Sequence, residues 1–374
     1  GHAGRVLAMH YSEGDKEVLS VDSHGMVFLH KYLAAQPGHK LFPFTFQANE
    51  KSGVRLLPPS RGYPTSIRNR VVHEGGESNE EMALAVMRER VCADRALSFL
   101  FSSGYHDCLV RIQPLQAELP TLKLAYNDML GTCITLTEDD REVVVGTRDG
   151  LVVVWNVEGL AQHTTDEAAA YTFSTQLPRL ILPGLPSKVT QVVASRDLDL
   201  IVASTSSNQV FLFNLRDGRF VQVIEMNQHI EQPFTESGKA TKLNYRITQL
   251  LTTWTGYILV SVTCLHGSLP NYLFCFDVNG FLLYSRRDVR RIHTMLSSND
   301  SKWLFAESSH NICIFTLPDL KLNTVLSSPI KIDSLCVSSD NRALLAGAES
   351  GEVFCFGLNL RWKEKEDEMP ARVD

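Results

Sequence analysis

Four guanidinium groups fall within six residues in Arg286-Arg287-Asp288-Val289-Arg290-Arg291. The planar, permanently charged fork of arginine suits phosphate and carboxylate. Arg286, Arg287, Arg290 and Arg291 are therefore the residues whose type and spacing point to a ligand or partner contact. The competing reading is a solvated linker, partly neutralised by Asp288. The other charged cluster is Glu138-Asp139-Asp140. Leu136 and Val143 flank it in strand-like runs, so it reads as a charged hairpin turn rather than a cation site.

Further chemistry is hard to find. The chain has no G-x-S-x-G, H-E-x-x-H, P-loop or G-x-G-x-x-G segment. Its 12 histidines are scattered without metal-ligand spacing, and none of its 8 cysteines forms a C-x-x-C pair. Several cysteines sit in apolar runs such as Phe274-Cys275-Phe276 and read as small buried hydrophobes in a reducing compartment. The sequence thus predicts no enzyme, no catalytic residues, no cofactor and no metal. A net charge of −6 argues against a nucleic-acid partner. No apolar run approaches the ~20 residues of a membrane span, and no signal peptide opens the chain. The expectation is a soluble, cytoplasmic protein.

The elements that would carry the arginines emerge from a repeat. A turn containing Asp, Asn, Gly or Ser precedes a short apolar run that ends on a large residue and then a small or polar one. The clearest copy is Gly146-Thr147-Arg148-Asp149-Gly150-Leu151-Val152-Val153-Val154-Trp155-Asn156. Other copies end at His30, Ile112, Phe213, Phe276, Phe315 and Phe356. Their spacings along the chain are 82, 43, 58, 63, 39 and 41 residues. A period of ~40–45 residues, with several β-branched and aromatic runs per unit, is the signature of a WD40 propeller. The fold expected is all-β, a seven-bladed WD40-type β-propeller, forming one domain over 1–374. The blades are placed at about 1–48, 91–120, 121–179, 180–225, 246–286, 290–328 and 329–363.

An Asp at the blade turn can bond the turn's amides and orient a neighbouring His, and Asp107 and Asp149 are assigned that place. Gly1-His2 matches the Gly-His that starts such a repeat, with a cloning scar as the other reading. The largest insertion runs from about 34 to 90. Within it, Phe42-Pro43-Phe44-Thr45-Phe46 would complete the first blade. Residues 49–78 read as a mobile loop and Asn79 to Arg90 as a short helix. Smaller insertions at 159–172 and 226–245 read as solvated extensions, and Leu358 to Lys363 as the outer strand of the last blade.

Several of these segments resemble the C-terminal WD repeats of BEACH-domain proteins, the neurobeachin and beige group. Gly104-Tyr105-His106-Asp107-Cys108-Leu109-Val110-Arg111-Ile112 is similar to that family's "GYWDNSFRV", with His106 in place of Trp. His30-Lys31-Tyr32 resembles its "HKW", and Gly146-Thr147-Arg148-Asp149 its "GSRD". Ser350 to Trp362 resembles its closing "GxIxxFNxNFxRW". The resemblance implies a non-catalytic protein–protein interaction scaffold acting in vesicle trafficking and lysosome-related membrane dynamics. Its partners would be other proteins, and its own PH-BEACH module outside this chain. Its place would be the cytoplasm, peripheral to endomembranes. The alternative is recognition of phosphoinositide, anionic lipid or phosphate through Arg286 to Arg291. Tyr284-Ser285-Arg286-Arg287-Asp288 differs, however, from the Phe-Arg-Arg-Gly of phosphoinositide-binding propellers.

Overall fold

A computed structural model describes residues 2–360 apart from 3, 13–16, 24–25, 32–53, 56–87, 105–106, 116–118, 164–166, 183, 231–244, 266–269 and 309. Runs of valine, isoleucine and aromatics alternate with Gly, Asp and Asn turns, and the chain answers with seven antiparallel sheets, each contiguous in sequence. The first blade holds β1 (Val6–Tyr11), β2 (Glu17–Asp22), β3 (Met26–Lys31) and β4 (Val54–Arg55). The second holds β5 (Val91–Ala93), β6 (Phe99–Ser102), β7 (Val110–Pro114) and β8 (Leu122–Leu124). The third holds β9 (Gly131–Leu136), β10 (Glu142–Thr147), β11 (Val152–Asn156) and β12 (Leu180–Leu182). The fourth holds β13 (Val189–Ser195), β14 (Leu200–Thr205), β15 (Gln209–Asn214) and β16 (Phe220–Glu225). The fifth holds β17 (Tyr245–Thr252), β18 (Ile258–Cys264), β19 (Asn271–Phe276) and β20 (Leu282–Val289). The sixth holds β21 (Thr294–Ser297), β22 (Trp303–Ser308), β23 (Asn311–Thr316) and β24 (Leu322–Ser327). The seventh holds β25 (Ile332–Val337), β26 (Ala343–Ala348) and β27 (Val353–Gly357). The architecture is a seven-bladed β-propeller.

A single blade has two apolar faces and can bury neither alone. Among the described residues the result is one hydrophobic cluster at each junction between neighbours, seven in all. Trp155, Phe213, Phe276, Phe315 and Phe356, which end the third strands, each join the cluster shared with the preceding blade. The ring closes between the seventh blade and the first through Val6, Met9 and Val18 against Cys336, Leu345 and Cys355. Ser334 Oγ donates to Val6 O at 2.9 Å. A Cβ on Gly347 of β26 would lie 2.5 Å from Val6 Cγ1, and one on Gly146 of β10 would lie 2.5 Å from Val189 Cγ1. The closing junction therefore repeats the close approach of an interior one.

Several local features differ from the sequence reading. The strand pairing with β3 is Val54–Arg55, within the stretch read as a loop; Phe42 to Phe46 and the rest of 49–78 lie outside the described residues. So does most of the helix expected from Asn79. In the seventh blade the described residues Leu358, Asn359 and Leu360 are not strand. Leu358 N donates to Arg342 O at 2.7 Å, and Leu358 and Leu360 pack on the core between blades six and seven. The insertion near 159–172 forms α1 (Leu160–His163) and α2 (Glu167–Ser174), and Ala170 and Phe173 are buried in the core between blades two and three. It is a cover, not a solvated extension. Asp149 is exposed, and the turn role assigned to it falls two residues earlier, where Thr147 Oγ1 accepts Leu151 N at 2.8 Å. Asp107 accepts Leu109 N at 3.2 Å and pairs with Arg111 at 2.6 Å. The His-orienting role belongs to Asp22, which accepts Met26 N at 2.9 Å and lies 3.2 Å from His2 Nδ1. His2 Nε2 is 2.6 Å from Ser20 Oγ, and the ring meets Phe28 edge-on at 4.5 Å.

Candidate binding surfaces on the rim and in the channel

Strand β20, Leu-Leu-Tyr-Ser-Arg-Arg-Asp-Val, is the outermost of the fifth blade and, among the described residues, pairs only with β19. Arg286 and Arg287 thus belong to the strand itself rather than to a linker. Successive side chains on a strand point to opposite faces. Arg286 lies opposite Leu273, a member of the core shared with blade six; Arg287 lies opposite Tyr272, a member of the core shared with blade four. Period-two geometry therefore separates Arg286 from Arg287. Arg286 and Arg290 come together at a cleft between blades five and six, Arg287 faces the other way, and Arg291 is half-buried outside the cleft lining.

The cleft has a volume of about 290 Å³. Val289, Ile292, Ala306, Cys313 and Phe315 give it an apolar floor, and Leu322 and Val325 of β24 stand at its edge, 44% and 43% exposed. Arg286 Nη1 donates to Leu320 O at 2.9 Å, and its guanidinium sits 5.3 Å from the centroid of the Phe315 ring. Arg290 is exposed. Burial pushes the Cys313 thiol up, against the opposing pull of Arg290 and Arg286. This arrangement can hold one apolar group beside an anion.

Exposed apolar side chains concentrate along neighbouring outer strands. They are Phe220 and Val221 on β16, Leu282, Leu283 and Tyr284 on β20, with Phe281 just before it, and Leu322 and Val325 on β24. Blades four, five and six thus each present apolar side chains on the outer rim, and exposed apolar surface of that kind marks interaction sites.

A second constellation was not singled out by sequence. Arg88 and Glu89, leading into β5, reach the inner parts of distant blades, while Arg90 Nη1 donates to Gly104 O of its own blade at 3.4 Å. Arg88 Nη2 donates to Asp333 Oδ1 on β25 at 2.7 Å, and Nη1 to His293 O at 3.2 Å. Glu89 Oε1 accepts Gln191 Nε2 of β13 at 2.8 Å, and Gln191 also donates to Thr248 O of β17 at 3.1 Å. Glu89 O accepts Ile134 N of β9 at 2.7 Å. Asp333 also accepts Arg5 Nε and Nη2 at 2.8 and 3.0 Å. One short segment thereby ties blades three, four, six and seven across the central channel. Burial raises the Glu89 carboxyl to about 7, with Gln191 and Arg88 opposing. Only the run Arg-Glu-Arg just before an apolar strand hints at it in the sequence.

Glu138 is a turn residue, as expected, but not a merely solvated one. It accepts Ser195 Oγ at 2.7 Å and the amides of Arg196 and Asp197 at 2.9 and 2.8 Å in blade four. All eight cysteines are free. Among the described residues no group of three or more His, Cys, Asp or Glu side chains could hold a metal ion, and no helix is long and apolar enough to cross a membrane.

No family model matches the chain. Over 271 residues it is 21% identical to BEACH domain-containing protein B of Arabidopsis thaliana, covering 70% of this chain. The match spans 10% of that relative's length.

Proposed function

We propose that the chain is a non-catalytic protein–protein interaction scaffold, the propeller module of a BEACH-type protein acting in vesicle trafficking and lysosome-related membrane dynamics. The observation that carries the scaffold reading is the apolar rim of blades four to six. Rigid strands hold Phe220, Leu283, Tyr284 and Val325 in solvent, where each costs hydration free energy unless a partner covers it. The likeness to a BEACH protein and the order of the sequence motifs support the link to membrane traffic. On this reading the protein is cytoplasmic and visits endomembranes through its partners, its own PH-BEACH module among them.

The test is an affinity purification with the chain as bait, beside a variant carrying Phe220→Asp, Leu283→Asp and Val325→Asp. These side chains are each about half exposed, and a thermal melt of the variant checks that it folds. The wild-type chain is expected to retain a reproducible set of proteins that the variant loses. Retention of the same set by both would sink the rim as the binding surface, and an empty wild-type set would sink the scaffold reading.

A further inference from the structure

We infer that the cleft between blades five and six is a docking site for an acidic peptide segment, seating an aliphatic or aromatic anchor side chain on its floor and a neighbouring carboxylate at Arg290. This rests on the scaffold reading and names the partner's chemistry. At about 290 Å³ the cleft is at the small end of ligand pockets, so it admits a side chain rather than a cofactor. Its floor is built from Val289, Ile292, Ala306 and Phe315, which favours an apolar group. None of its lining residues is acidic, and two are arginines. An Arg fork matches a carboxylate in two parallel hydrogen bonds.

The two arginines are not equivalent. Arg286 spends Nη1 on Leu320 O and lies over Phe315, so it is fixed as part of the wall. Arg290 is exposed at the mouth and supplies the adaptable contact. A polyphosphorylated headgroup fits less well, because Arg287 is turned to the opposite face of the blade and the lining between the two arginines is mostly apolar, with Ser308 and Asn311 as its uncharged polar members. Leu322 and Val325 extend the apolar surface outward from the cleft along β24, which gives residues flanking the anchor a place to lie.

The experiment pans a random peptide library displayed on phage against the whole chain, then measures the enriched peptides on wild type, Arg290→Glu and Val325→Asp. Both positions are exposed, and thermal melts confirm that the variants fold. The expected result is enrichment of Asp or Glu beside an aliphatic or aromatic residue, with affinity falling about tenfold or more in each variant. Bound peptide also slows alkylation of Cys313, read by mass spectrometry. Enriched peptides without acidic residues, binding unchanged in both variants, or no enrichment at all each overturn the proposal. Arg290-dependent binding to phosphoinositide vesicles without peptide binding overturns it in favour of a headgroup. If the bait purification returns the same partners with Arg290→Glu as with wild type, the cleft fails while the scaffold reading stands.

Discussion

At the scale of single residues, Trp155 and Glu89 show how different positions carry the ring. Trp155 is wholly buried between blades two and three, beside Phe101, Ile112 and Val143. Truncating a buried aromatic removes its transfer free energy and leaves a cavity, ~3–5 kcal/mol together. Trp155→Ala is expected to lose that much in denaturant unfolding, and a loss under ~1 kcal/mol would contradict the packing described. Glu89 acts through protonation. Its carboxyl is raised to about 7 in the folded chain, so the native state binds more protons than the unfolded state between the ordinary glutamate range and about 7. The stability it contributes is greatest below that window and is lost as pH rises through it. A shift of that size is worth ~3 kcal/mol at most. The melting temperature should fall between about pH 5 and about pH 8, and Glu89→Gln, which keeps the acceptor for Gln191, should flatten the fall. An identical pH slope in wild type and variant would rule out this role.

At the scale of elements, legibility follows burial. All seven run-ending residues, from His30 to Phe356, lie in the third strands of their blades. β7, β15 and β23 alternate buried and half-buried positions, and β11, β19 and β27 are almost continuously buried, so both kinds print an apolar pattern in the sequence. Outer strands print less of one, although β16 (Phe220–Glu225) is readable from its aromatic and β-branched residues. β8 and β12 are three residues each, and β24 is exposed along almost its whole length, so sequence placed β8 and β12 in the blades that follow them. The division of the arginines was readable in principle, because period-two alternation puts Arg286 and Arg287 on opposite faces once β20 is known to reach Val289. The Arg88–Glu89 hub was not readable, since its partners lie up to 245 positions away. The last segment also changes character. Because Leu358 and Leu360 pack on the core outside any strand, removing residues 358–374 should destabilise the chain by apolar loss, ~1–3 kcal/mol, rather than by opening a sheet edge. Calorimetry measures this, and an unchanged melting temperature would show that the tail adds nothing.

At the scale of the whole molecule, the ring is held by seven similar cores, and the seventh junction differs in what joins it. As at every other junction, no strand is shared between the first and last sheets among the described residues. Closure uses apolar packing plus Asp333, almost fully buried and held by both Arg5 and Arg88. Breaking a buried ion pair by removing one partner costs ~3–5 kcal/mol, because the other charge stays desolvated. Asp333→Ala should cost that much and should broaden the thermal transition as the ring opens before its blades melt. A sharp, unshifted transition would show that the packing alone closes the ring.

Because each sheet is built from one stretch of chain, blades can form in order as the polypeptide leaves the ribosome. The clasp between Arg5 and Asp333 cannot, for its halves are 328 positions apart. At translation rates of ~5–20 residues per second, the first blade waits roughly a quarter of a minute to a minute for its partner. During that interval Val6, Met9 and Val18 offer an uncovered apolar face, the surface a chaperone would hold and another nascent copy would mistake for its own last blade.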